Sequence, residues 1–160
     1  MPPCKLLLGV LLLSSPLACI PEAPLLEPDS GPEAMGEVQE AADLFEAAFL
    51  EGRPAAVVGL MTADAVASLV GGPDIVGEEA LLRFFQEFFG ELTVSAYRTT
   101  VEEVEVYGDV AYDRGTFIWE SLLSDGTPIN SPGGRYSAVR HLGPDGVWRL
   151  HRLIENEVTN

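Results

Sequence analysis

Few groups in this chain could do chemistry. It has two histidines, His141 and His151, and two cysteines, Cys4 and Cys19; 25 Asp and Glu residues outnumber nine Lys and Arg. A histidine titrates near neutrality, so His151 is the candidate general acid or base. No nucleophile or paired carboxylate can be tied to it along the chain. A wall position, hydrogen-bonded to a neighbour, is therefore the favoured alternative. Two histidines without a clustered acid do not make a metal site, and His141, at a turn, is expected to be exposed. Ser121 and Ser124 lack a His–Asp context. The Gly71-Gly72 and Gly133-Gly134 pairs sit beside prolines and open no phosphate-cradling helix, so no cofactor is expected.

Charge narrows the partners. A net charge of −16 without a basic patch repels phosphate backbones, which disfavours nucleic acid. Lys5 is the only lysine, and without the leader that carries it the charge would be −17.

The elements that must position these groups follow from periodicity. Helical spacing runs from Glu37 to Glu51 and stops at Gly52. Pro54 opens a short helix to Met61. Residues 65–70 read as a short strand ended by Gly71-Gly72-Pro73. Glu78 and Glu79 begin a third helix with the aromatic stripe Phe84, Phe85, Phe88 and Phe89, which suits core packing better than a cofactor box. Strands are expected over 93–107, 110–123, 134–142 and 147–156, paired through turns at Gly108-Asp109 and at residues 143–146. The first turn sets Glu103 across from Arg114. In the last hairpin a shorter loop would set Arg135 against Glu155, whereas the other register leaves Glu155 as a pocket acid. Asp113, Phe117 and Trp119 share one face of their strand, and Tyr112, Arg114 and Ile118 the other; either could face inward. Trp148 is expected in the core. Three helices before an antiparallel meander make an α+β domain over residues 36–160.

The N-terminus reads as an export signal. Lys5 precedes the apolar run 6–13, too short to span a bilayer, and the Leu17-Ala18-Cys19 site follows. Ala18-Cys19 resembles the bacterial lipobox, with Pro16 where an aliphatic residue is usual. Residues 1–18 are then a signal peptide and Cys19 the lipid attachment point. An ordinary signal cut near Ala18 is the alternative. Residues 19–35, rich in Pro and Glu, read as a tether. The resemblance implies an exported protein of the cell envelope, and Ile20 after the cysteine favours the outer membrane.

Five segments, in order, resemble the NTF2-like superfamily, in its SnoaL-like and DUF4440 branch related to ketosteroid isomerase. They are LFEAAFLEG at 44–52, LMTADAV at 60–66, GPDIVGEEAL at 72–81, VYGDVAYDRGTF at 106–117, and GRY at 134–136 with DGVWRLHR at 145–152. The resemblance implies a cone, a curved antiparallel sheet wrapped around three N-terminal helices, and a possible homodimer. Steroid isomerisation needs a carboxylate base and an oxyanion hole of Tyr and protonated Asp, an arrangement for which ketosteroid isomerase is the type case. The matching positions hold Phe45, Leu69 (or Gly72) and Ala138, so that chemistry is not expected. By resemblance the concave face carries Tyr136, Ala138, Arg140, His151, Leu153 and Glu155, and a ligand pocket would use Phe45, Phe49, Tyr136, Arg140, His151 and Glu155. The resulting expectation is a lipid-tethered domain that binds a small apolar molecule or an envelope protein without catalysis. The runner-up is an isomerase- or hydrolase-like enzyme using His151, with Tyr136 and Arg140 orienting the substrate. A third option is a structural dimer whose cone is filled by its own phenylalanines; a filled cone would exclude a ligand or enzyme site and leave the interaction role.

Overall fold

The structure, a computed structural model, describes residues 26–130 and 133–157. The signal peptide, Cys19 and the tether up to residue 25 lie outside the described residues. Helix α1 (Pro32–Leu50) starts on a proline, whose missing N–H costs nothing in a first turn. It begins before Glu37, so residues 32–35, read as tether, are helical. Asp29 also exchanges two backbone hydrogen bonds with Val106, at 2.9 and 2.8 Å. Gly52, at φ 62°, provides the left-handed turn that ends the helix. Helix α2 (Pro54–Gly59) is followed by β1 (Met61–Ser68), β2 (Ile75–Val76) and α3 (Glu78–Glu91). Met61, expected to end α2, instead starts β1, and β1 lies earlier than the expected 65–70. Pairing with the last strand overrides the polar Thr62 and Asp64 within the segment.

The remaining strands are β3 (Leu92–Tyr107), β4 (Val110–Leu123), β5 (Pro128–Asn130), β6 (Gly134–Leu142) and β7 (Trp148–Glu157). The sheet order is β2-β1-β7-β6-β4-β3, with β5 on β4. All pairs are antiparallel except β1 with β7, which is parallel and departs from the expected all-antiparallel sheet. The β3–β4 hairpin turns on Gly108-Asp109 and sets Glu103 opposite Arg114, where the two form an ion pair. Both side chains are solvated, so water screens the pair and it adds little to stability.

The last hairpin takes the register of the shorter loop near its turn: Leu142 pairs with Trp148 and Arg140 with Leu150, around Pro144-Asp145-Gly146. A register shift between Val139 and Arg140 then sets Glu155 opposite Tyr136 and Arg135 opposite Asn156, so the expected pairing of Arg135 with Glu155 is not formed. The Gly143 N–H donates to the Val147 carbonyl at 2.9 Å and closes the loop. Arg149 grips Asp145 through two hydrogen bonds of 2.8 and 2.7 Å and donates to the Gly59 carbonyl at 3.2 Å, tying the loop to the end of α2. The guanidinium holds the Asp145 carboxyl well below the usual carboxylate range.

Two cores result. The first joins Phe45, Ala48 and Phe49 of α1 with Val57, Leu81, Phe85, Phe117 and Leu153. The second sets Val38, Ala41 and Ala42 against Val101, Val104, Ala111 and Trp148, whose indole N–H donates to Glu37 at 3.2 Å. Side chains of α1 also reach the backbone of β3: Glu46 accepts from the Thr99 N–H at 3.3 Å and Gln39 from the Val101 N–H at 3.2 Å. The helix therefore crosses the sheet in a fixed register, with its C-terminal half over the site.

Candidate functional site

The aromatic helix stripe does not fill the cone. A cavity of about 210 Å³ lies between the helices and the sheet. Phe45 and Phe49 of α1 line it, with Phe84, Phe85 and Phe88 of α3 across from them. Tyr97, Phe117 and Trp119 come from the sheet, Leu69 and Val70 lie beyond β1, and β7 supplies Leu153, Glu155 and Glu157. The rings form a continuous set: Phe49 is 4.5 Å from Tyr97 and 5.6 Å from Phe88, and Phe88 is 5.9 Å from Trp119, centroid to centroid. Behind it a void of about 20 Å³ is walled by Tyr97, Thr99, Tyr136, Arg140 and Glu155. Glu155 belongs to both spaces.

Arg140 walls the small void, and Asp113 lies behind it. Arg140 Nε donates to Asp113 Oδ1 at 2.8 Å and Nη2 to Oδ2 at 3.3 Å, a two-point grip with both side chains buried. This settles the face of β4: Asp113, Phe117 and Trp119 point inward, while Arg114 and Ile118 are exposed. Arg140, read as a residue that orients a substrate in an enzyme, lines the small void with its guanidinium bound to Asp113. The Tyr136 hydroxyl is buried and without a hydrogen-bond partner among the described residues, and burial raises its pKa above the ordinary value. Burial likewise raises that of Tyr97.

Glu155 is the group that titrates in this site. Enclosure by apolar walls pushes its carboxyl from 4.5 up to about 7. The folded carboxyl thus gives up its proton later than the unfolded one, so this contribution is full below about pH 4.5. It is lost as pH rises through about 7. Glu155→Gln is expected to raise stability by up to about 3 kcal/mol at pH 8, and by far less at pH 4.5. Urea titrations at the two pH values check this.

His151 lies elsewhere. Strand alternation places it with Leu153 and Glu155, but the β6–β7 register shifts between Val139 and Arg140. Val139 pairs with Arg152 and Arg140 with Leu150, so His151 is the extra residue of a β-bulge and Leu150 takes the inward place. The imidazole lies outside the cavity lining. It stacks on His141 at 4.1 Å, with Nδ1 3.0 Å from Thr62 Oγ1 and 3.4 Å from Asp64 Oδ1. Burial, then the charges of His141 and Arg152, lower its pKa. His141, expected to be exposed, is half-buried beneath this stack. The pair of rings is a packed polar cluster of the kind favoured for His151 as the alternative to catalysis.

Of the residues expected in a pocket, Phe45, Phe49, Tyr136, Arg140 and Glu155 come together and His151 does not. Of the positions that the resemblance sets against the isomerase's groups, Phe45 and Leu69 line the cavity and Ala138 is buried. Tyr97 escaped the sequence reading. A register shift between Val94 and Ala96 changes the facing of β3 ahead of it, and simple alternation cannot show that.

The SnoaL-like domain profile matches residues 41–151. Among curated proteins none matches the chain. Solved structures share the fold. A ketosteroid isomerase-like protein from Erwinia carotovora atroseptica superposes at a TM-score of 0.66 and 19% identity, covering 81% of this chain and 100% of that one. An NTF2-like protein with a cystatin-like fold from Novosphingobium aromaticivorans gives 0.60 and 18%, covering 80% and 84%. A candidate dehydratase of the NTF2-like family from Streptomyces avermitilis gives 0.65 and 21%, covering 79% and 96%.

Proposed function

We propose, from the premise that this chain belongs to the SnoaL-like domain family, that it binds a small, largely apolar organic molecule in its aromatic cavity. The observation that carries this is the cavity itself, about 210 Å³ walled by phenylalanine, tyrosine and tryptophan. An engineered apolar cavity of about 150 Å³ already holds benzene, so this one has room for one ring and a short substituent. Packed phenylalanines would have closed the space had its purpose been stability alone. Titration with toluene, read by the emission of Trp119, tests the reading. Saturable binding that is lost on filling the space with Leu69→Trp supports it, and no saturable binding sinks it. Because His151 lies outside the lining, His151→Ala is expected to leave toluene affinity within twofold of the parent in the same titration.

The site works, in this proposal, at the bacterial envelope, with the domain held by a lipid on Cys19. The support is the leader sequence and the cysteine at its cut site. A mature chain without acyl mass on Cys19 would refute the anchor, and intact-mass measurement on envelope fractions decides it.

Glu155 favours one second reading. A carboxyl that titrates at about 7 inside an apolar cavity can pass a proton to or from a bound molecule. Solvent deuterium entering a retained ligand in the wild type, and not in Glu155→Gln, would establish that reading over simple binding.

A further inference from the structure

The polar part of the cavity carries a one-sided charge. Arg140 is the only basic residue in the lining among the described residues, and its guanidinium is bound to Asp113 at 2.8 and 3.3 Å. Those two charges cancel locally. Glu155 has no hydrogen-bond or ion-pair partner among the described residues, although it borders both the main cavity and the small void. Glu157 stands exposed at the rim and adds a second carboxylate. Around them are the faces and edges of Phe49, Phe88, Tyr97 and Trp119. Aromatic walls attract a cation through their ring quadrupoles, and an unpaired carboxylate supplies the counter-charge. An anionic ligand would meet the opposite: like charge and no free basic group.

We infer that the cavity selects organic ammonium ions, a one-ring apolar body carrying a protonated amine, with Glu155 as the counter-ion. This rests on the binding reading above and names the class of ligand. The apolar body would occupy the aromatic space, and the ammonium would sit at the junction with the void, where Glu155 and the Tyr136 hydroxyl are both unpartnered. Three N–H donors on an ammonium match those two acceptors; a carboxylate or ether offers none.

The site also couples binding to pH. The empty-site carboxyl titrates at about 7, and the cation needs it ionised. The other charged or titratable groups facing it are Glu157 on β7, Tyr97 on β3, and Tyr136 and Arg140 on β6, with Asp113 behind Arg140. The lining residues of α1 and α3 are phenylalanines and Ala42, and Glu46 of α1, outside the lining, accepts from the Thr99 N–H. Affinity for an amine is expected to fall roughly tenfold per pH unit below 7, while a neutral analogue shows no such slope.

The test is a matched series of benzylamine, benzyl alcohol, toluene and benzoate, titrated against the purified protein and Glu155→Gln between pH 5 and 8. The expected result is benzylamine at least tenfold tighter than benzyl alcohol at pH 8, with benzoate weakest. That preference, read as the ratio of benzylamine to toluene affinity in each protein, should collapse in Glu155→Gln. The pH slope on the wild type gives a second readout that needs no variant. If toluene and benzyl alcohol bind but benzylamine gains nothing, or gains equally in Glu155→Gln, the ammonium inference is overturned and the pocket stands. If none of the four binds, the pocket reading falls and takes the inference with it.

Discussion

Arg140→Met is expected to destabilise the fold by about 3–5 kcal/mol, because it strands the buried Asp113 carboxylate without its partner. Asp113 is 0% exposed and Arg140 3%, so solvent cannot substitute for the lost hydrogen bonds. The pair joins β4 to β6 at the small void, which Phe117 of β4 and Tyr136 of β6 help to wall. The cost arises from the unpaired charge and not from the strength of the ion pair. A double variant, Arg140→Met with Asp113→Leu, is therefore expected to recover most of the loss, since replacing a buried pair by apolar groups of similar volume is often neutral. Urea unfolding of the two single variants and the double variant makes a thermodynamic cycle that measures this. Additive losses in the double variant would show that the residues act separately.

Gly115→Ala is expected to cost at least about 4 kcal/mol, a large part of the roughly 5–15 kcal/mol that keeps a domain folded. Gly115 lies on β4 between β3 and β6, paired with Val101 on one side and Tyr136 on the other. A Cβ there would sit 1.9 Å from the Thr100 carbonyl oxygen and 3.0 Å from Tyr136 Cε1. The near atom is backbone, held in the β3–β4 ladder, so no rotamer change relieves the overlap. The strands would have to spread beside the shift between Val101 and Glu103, where β3 bends over β4. Gly115 faces inward with Asp113 and Phe117, so the close approach helps to curve the sheet around the cavity. Circular dichroism melts of the variant, set against Gly126→Ala in an open loop, check the expectation. Gly126 has open space around it but a φ of 84°, so alanine there pays only backbone strain, of about 1–2 kcal/mol.

The two substitutions bear on different layers of one site. The ion pair lets charge lie under an apolar cavity, and the missing Cβ permits the curvature that opens it. Neither residue needs to touch a ligand for function to depend on it.

Much of this protein was legible without a structure. Apolar spacing located the three helices. Gly108-Asp109 determined a two-residue hairpin and with it the Glu103–Arg114 pairing, because such a loop leaves one register available. The ordered segments between residues 44 and 152 pointed to the fold that the family profile and the structural likenesses establish. The side chains at Phe45, Leu69 (or Gly72) and Ala138, where the resemblance would set the isomerase's groups, were equally plain, since a side chain's chemistry is a property of the residue alone. Tertiary structure decided what depends on facing. A one-residue bulge moved His151 out of the cavity and put Leu150 in its place, and another changed the facing of β3 ahead of Tyr97. Strand alternation has a period of two, so a single extra residue inverts every assignment beyond it. The commitment of Arg140 to Asp113 and the solitude of Glu155 are likewise relations between strands distant in sequence. Residue type set which chemistry the chain could hold; the register of the sheet determined that Glu155, and not His151, faces the space where a ligand would lie.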